Sequence, residues 1–139
     1  MDPTRLIVRA LLLGLVLIGA RPGLAQLSQT TITGPVGSGS FGAAVAFLPN
    51  GNYVVSDPGF DLPSAVDVGA VHLYRGSDHA LIATLTGSAP GDGVGTNIVV
   101  LPSGHYLVRS WSWSGSAGAV SWCDGASGCS GVVDATNSA

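Results

Sequence analysis

Charge is scarce in this sequence: thirteen of 139 residues are Asp, Glu, Lys or Arg, against about 25 % in an ordinary globular chain. Long solvated helices, which need charged faces, are therefore disfavoured. Only five residues are basic, Arg5 and Arg9 near the N-terminus among them, and the net charge is −3. No positive surface is available to neutralise a run of phosphates, which argues against nucleic-acid binding. Cysteine is equally sparse, with two residues. Long apolar runs are also missing. The one uncharged apolar stretch, Ala10 to Ala20, covers about 16 Å as a helix, short of a hydrocarbon core about 30 Å thick.

That stretch has a different meaning. Arg5 and Arg9 precede it, and Gly23-Leu24-Ala25 follows with small residues at the −3 and −1 positions before Gln26. This is the three-part layout of a secretory signal. Residues 1–25 are expected to be a signal peptide, an uncleaved membrane anchor being the alternative. The residue directly after the cleavage site is Gln26 and not a cysteine, which speaks against a bacterial lipoprotein. The expected localisation is secreted or cell-surface.

What the chain has in quantity is glycine, twenty-one residues, together with small and β-branched residues. These suit short strands joined by tight turns. Cys123 and Cys129 bracket a Gly-rich connection, Asp124 to Gly128, between two strand-like runs. Thiols at the facing ends of a hairpin loop can reach disulfide distance, and export permits oxidation. Free thiols are the alternative; a metal site would need ligands that His105 alone does not supply.

The strongest internal signal is a repeat. Phe41 to Pro58 lies over Val94 to Trp111 without a gap, with identities at Gly42/Gly95, Leu48/Leu101, Pro49/Pro102, Gly51/Gly104, Tyr53/Tyr106 and Val55/Val108. Gly69-Ala70-Val71 then meets Gly118-Ala119-Val120, and Ile82 to Ser88 meets Val132 to Ser138 at an offset of 50. A period of this length belongs to propeller blades and related arrays. The expected fold is all-β, with about two four-stranded antiparallel units resembling β-propeller blades in an incomplete ring. Residues 26–40 form a lead-in, 41–93 the first unit and 94–139 the second, possible truncation included. Strands are expected at Gly42 to Leu48, Tyr53 to Asp57, Ala70 to Tyr74 and Leu81 to Leu85. Their second-unit counterparts are Asn97 to Leu101, Tyr106 to Ser110, Ala119 to Trp122 and Val132 to Ala135.

Phe41-Gly42, the strand ending Val55-Ser56-Asp57-Pro58, and Gly69-Ala70-Val71-His72-Leu73-Tyr74 resemble the FG-GAP repeat of integrin α-chain propellers and their bacterial relatives. The pattern in Gly51 to Ser56, Gly69 to Val71 and Gly118 to Val120 is also similar to Gly-rich bacterial surface repeats. The resemblance implies a propeller-blade fold and an adhesive or surface role. It also implies a calcium loop between the first two strands, but Pro49-Asn50-Gly51-Asn52 and Pro102-Ser103-Gly104-His105 stand there without carboxylates. Asp57, Asp61 and Asp67 on the longer loop are the remaining acidic candidates. No cofactor is expected. Phe-Gly becomes Val94-Gly95 in the second unit. A closed propeller takes four to eight blades, so two units leave open edges, and self-association or further repeats are expected.

Other motifs carry less. Gly37 to Gly42 fits G-x-G-x-x-G, but no strand-to-helix context surrounds it. His72, His79 and His105 are expected at the surface, and no nucleophile elbow or framed carboxylate pair accompanies them. Trp111 and Trp113 share a face at period two and form a candidate ligand platform, with ordinary sheet packing, as for Trp122, the alternative. The expected function is an exported, non-enzymatic repeat module for binding, adhesion or surface structure, its partner an extracellular protein or glycan. A fragment of a longer repeat protein and a secreted hydrolase-associated domain are the alternatives.

Overall fold

A computed structural model describes residues 29–139; the expected signal segment, residues 1–25, lies outside the described residues. Residues 32–139 form one compact unit, and it is all-β. Eight strands follow in order: β1 (Ala44–Phe47), β2 (Tyr53–Asp57), β3 (Ala70–Tyr74), β4 (Leu81–Thr86), β5 (Asn97–Val100), β6 (Tyr106–Ser110), β7 (Ala119–Cys123) and β8 (Gly131–Val132). The segment Trp113–Ser116 makes a single irregular helical turn, with Ser114 and Gly115 at φ 53° and 69°.

The strands form two sheets, β1-β2-β3-β4-β8 and β5-β6-β7. The first four strands are an antiparallel meander, as are β5 to β7. The hairpins are set by turn chemistry. Gly51 and Gly104 occupy the same place in the two repeats and adopt φ 88° and 87°, a left-handed conformation that glycine adopts without steric cost. Each donates its N–H to the leucine three residues back, Leu48 or Leu101, at 2.9 Å.

The second repeat departs from the expected plan at its fourth strand. Val132 does not extend the second sheet; it belongs to β8, which pairs in parallel with β4 of the first sheet, Thr86 opposite Val132. Val133 is then buried in the core. The place beside β7 is taken by Ser138 and Ala139: Ala139 exchanges both backbone hydrogen bonds with Val120 at 2.8 and 3.0 Å, and Ser121 bridges Ser138.

The two sheets share one core. Val54, Val71, Leu73, Ala83 and Leu85 of the first meet Tyr106, Val108, Ala119 and Cys123 of the second, with Leu48, Val94 and Val133. The repeat register shows which faces these are. Tyr106 and Val108 correspond to Tyr53 and Val55, which lie on the opposite face of the first sheet, in a separate cluster with Tyr74. Repeats therefore stack in one sense. The face of the first repeat carrying Val54 and Leu73, its front, packs on the face of the second carrying Tyr106 and Val108, its back.

Candidate functional site

Stacking leaves the front of the second repeat uncovered. Cross-strand registers place Val99 opposite Leu107, Leu107 opposite Trp122, and Arg109 opposite Val120, so these side chains share one face. Val99, Val120 and Trp122 are 37 %, 39 % and 54 % exposed. Their counterparts in the first repeat are Ala46, Val54, Leu73, Ser56 and Val71, the front that the second repeat covers.

At one end of this face, where β6 runs out, a depression of about 300 Å³ is lined by Arg109, Trp111, Gly118, Val120 and Ala139 among others. Thr96 sets the geometry: its hydroxyl donates to the Arg109 carbonyl at 2.8 Å and accepts the Trp111 N–H at 3.3 Å. The Arg109 guanidinium lies 4.1 Å from the centroid of the Trp111 ring, a cation–π arrangement worth about 0.5–1 kcal/mol at an exposed site. Two arginines fall among the described residues. Arg75 is paired with Asp78 at 3.0 Å; among the described residues no carboxylate pairs with Arg109. The pair Arg109–Trp111 thus presents a flat aromatic ring and a guanidinium edge suited to a planar carboxylate.

The two-tryptophan platform does not form as expected. Strand β6 ends at Ser110, so the period-two argument stops before Trp111. Trp111 is 58 % exposed, whereas Trp113, in the irregular turn, packs against the core. Asp92 fixes that turn. Its carboxylate accepts backbone N–H groups from Ser88 at 3.0 Å, Ala89 at 2.9 Å and Ser114 at 3.2 Å. Burial pushes the Asp92 carboxyl up, and the three N–H groups outweigh it, so the net shift is downward. The signal for Asp92 is the turn composition of Ser88-Ala89-Pro90-Gly91 before it.

Trp122 stands at the other end of the open face, its ring centroid 4.5 Å from that of His105. His105 Nδ1 accepts the Gly125 N–H at 3.3 Å and lies 3.3 Å from Asp124 Oδ2. In the first repeat Asn52 does the same work, its Oδ1 accepting the Gly76 N–H at 3.4 Å. Cys123 and Cys129 are joined by a disulfide with Cα atoms 5.0 Å apart, closing the turn that carries the chain toward β8.

His72 is not at the surface: it is 1 % exposed. Alternation does place it on the face away from the main core, but that face is the back of the first repeat, covered by Phe41, Phe60 and Tyr74 with ring centroids 5.8–6.3 Å away. Its Nδ1 lies 3.0 Å from Thr84 Oγ1. Burial lowers the His72 pKa, against the opposing charge of Asp57. His79 is exposed, its Nδ1 3.1 Å from the Tyr53 hydroxyl.

The acidic candidates are not gathered into a metal site. Asp57 is buried and accepts the Ser40 N–H, at 2.6 Å. Asp61 instead accepts the Asp67 N–H at 2.7 Å. Among the described residues no three His, Cys, Asp or Glu side chains converge as a ligand set. Gly37 to Gly42 runs through turns into β1, with no helix after it.

Fold and face together define an all-β protein of two stacked repeats. A family model for a repeat of unknown function, DUF5650, matches residues 47–96 and again 100–139, together more than half of the chain. The chain belongs to this repeat family. The two matches begin at Phe47 and Val100, equivalent positions in the internal repeat. No curated protein and no solved structure matches the chain.

Proposed function

We propose that this chain is an exported, non-enzymatic repeat module that works by binding, and that the Arg109–Trp111 end of its open face receives the partner. The observation that carries this reading is the guanidinium stacked on an exposed indole beside a depression of about 300 Å³, with no carboxylate among the described residues neutralising it. The partner it suits is an extracellular glycan or protein that offers a carboxylate to Arg109 and a flat surface to Trp111. The motif likeness to FG-GAP repeats favours a surface role as an analogy of pattern.

The test is a panel of acidic glycans and extracellular matrix proteins against the purified chain. Saturable binding is expected from at least one member, weakened about tenfold or more by Arg109→Gln and by Trp111→Ala. A soluble, folded chain that binds nothing on such a panel, or binding indifferent to both substitutions, overturns the reading.

A further inference from the structure

The open front of the second repeat is ordered in cross-strand rows. Registers pair Leu107 with Trp122 and Arg109 with Val120. At one end the face continues to His105 and Asp124, whose Nδ1 and Oδ2 lie 3.3 Å apart. At the other, just past the end of β6, Trp111 and Gly118 line the depression together with Arg109 and Val120. Four residues separate Leu107 from Trp111, so the rows of the two indoles stand about 13 Å apart at the rise of a strand. Both rings are more than half exposed. Each has a nitrogen-bearing group against it, the Arg109 guanidinium over Trp111 and the His105 imidazole beside Trp122. In the covered front of the first repeat the places of Trp122 and Arg109 are held by Leu73 and Ser56, both 0 % exposed. The free face therefore carries stacking and charged groups where the covered one carries packing groups.

Charge on this face is divided between its ends. Arg109 stands at the Trp111 end. At the Trp122 end Asp124 is held as an anion: its Oδ1 accepts the Ser127 and Ala126 N–H groups at 2.8 Å each, which keeps its carboxyl below the usual carboxylate range. A carboxylate can only accept, so the Trp122 end takes hydroxyl donors and repels a second acid. A uniformly acidic ligand is opposed there, and a neutral one leaves Arg109 without an anion. An indole with a polar group at its edge suits a pyranose, whose C–H face lies on the ring while its hydroxyls or carboxylate reach that group. A protein closing over the face would have to desolvate Arg109 and Asp124 together, two charges of opposite sign about 13 Å apart along the strands, and pair each of them. A sugar chain laid along the strands leaves both in contact with water.

We propose that this face binds a linear polysaccharide in which uronates alternate with neutral sugars, lying along β6 and β7 with a uronate carboxylate on Arg109 and a neutral ring on Trp122. The uronate stacks on the side of the Trp111 indole that Arg109 leaves open, and the neutral ring donates hydroxyls to Asp124. Gly118 and Val120, low between the indoles, leave room for the chain to pass. This proposal rests on the reading that the Arg109–Trp111 end receives the partner, and adds to it the class of ligand, the length it must have and a second stacking ring.

The experiment is calorimetric titration of the purified chain with four probes: a hyaluronan octasaccharide, in which glucuronate alternates with N-acetylglucosamine, its disaccharide, and an oligogalacturonate and a chitin oligosaccharide of the longer length. The octasaccharide is expected to bind at least about tenfold more tightly than each of the others. Trp122→Leu, which places there the residue the first repeat has, should remove the advantage of length and leave the disaccharide affinity unchanged. Arg109→Gln should weaken both. Asp124→Asn, which keeps the acceptor of the turn, should narrow the preference over oligogalacturonate. Should Trp122→Leu not fold by circular dichroism, indole N–H resonances of the wild type pose the same question: the octasaccharide should shift those of Trp111 and Trp122, the disaccharide that of Trp111 alone. An octasaccharide bound no more tightly than the disaccharide, or one indifferent to Trp122, overturns the proposal and leaves the Arg109–Trp111 reading standing. Saturable binding of a matrix protein with none of the glycans does the same. No binding of any glycan or protein overturns both.

Discussion

The carboxamide of Asn50 donates to the backbone carbonyl of Gly125 across 2.8 Å, fastening the first turn of the first repeat to the disulfide-closed turn of the second. Asn52 donates to the same oxygen at 3.1 Å. The core joins the two sheets through non-directional burial, whereas this pair of hydrogen bonds fixes how far one repeat is rotated on the other. The turn thus holds its neighbour through two side-chain amides.

Asn50→Ala and Asn52→Ala are each expected to destabilise the fold by about 1 kcal/mol, the ordinary net value of a hydrogen bond. The double substitution should cost more than the sum, because either amide alone still satisfies the shared carbonyl and losing both leaves it unpaired. Urea unfolding midpoints of the four proteins check this.

Acid should weaken the fold partly through His72. Its pKa is lowered from 6.5 by burial, so between 6.5 and the lower folded value the unfolded chain binds more protons than the folded one. Stability therefore rises with pH in that window and is lost as pH falls through it. His72→Gln, which can still hydrogen-bond Thr84, should flatten the change in unfolding midpoint between about pH 7 and about pH 5. An undiminished slope would assign the effect to other groups. At the alkaline end Tyr106, pushed up to about 12 by burial, acts in the opposite sense. Its contribution is whole below 10.0 and fades as pH rises from there toward the folded value.

Much of this architecture is legible in the sequence because turn residues and strand pairs repeat together. Gly51 and Gly104, Tyr53 and Tyr106, and Val55 and Val108 mark the same positions in three dimensions as in the alignment. The fourth strand is where the reading goes astray, and for a physical reason. Matching Ile82 to Ser88 with Val132 to Ser138 gains two identities, Thr86/Thr136 and Ser88/Ser138, and an apolar start, yet Val132-Val133 satisfies that apolar pattern by crossing to the first sheet. The true register shows in hydrogen bonds: His72 meets Thr84 at 3.0 Å and Ser121 meets Ser138 at 3.0 Å, an offset that no identity between the segments discloses. His72 misleads differently. Alternation assigns a side chain to a face, and in stacked repeats both faces can be covered. For Trp111 and Trp113, period two presumes a strand, whereas β6 ends at Ser110 and Ser112 between the two rings is helical, at φ −89° and ψ −7°.

Reducing the Cys123–Cys129 bond is expected to lower stability by about 2 kcal/mol, the chain-entropy value for so short a loop. Because Cys123 is 1 % exposed within the shared core, Cys129→Ser tests the crosslink more cleanly than Cys123→Ser, which also buries a hydroxyl. Thermal unfolding with and without reductant, on wild type and Cys129→Ser, should show a reductant effect in the first protein and none in the second.

Gly76 and Gly125 make the sharpest prediction because the same constraint occurs twice. A Cβ on Gly76 would overlap the carbonyl oxygen of Gly51, and one on Gly125 the carbonyl oxygen of Gly104. In both repeats the first hairpin turn lies against the Cα of the last, and both obstructing atoms belong to backbone, which has little room to yield. Alanine at either position is expected to cost about 2–4 kcal/mol, the range of overpacking that displaces main chain. Gly104→Ala supplies the contrast. It sits at φ 87° with nothing within 4 Å of an added Cβ, so it incurs only the left-handed backbone penalty of about 1–2 kcal/mol. If Gly76→Ala and Gly125→Ala prove no more damaging than Gly104→Ala in urea unfolding, the two turns are not in contact through these atoms. If both are severe and similar in size, the packing of first turn on last turn is a property of the repeat itself, to be expected at the matching glycine of any further copy.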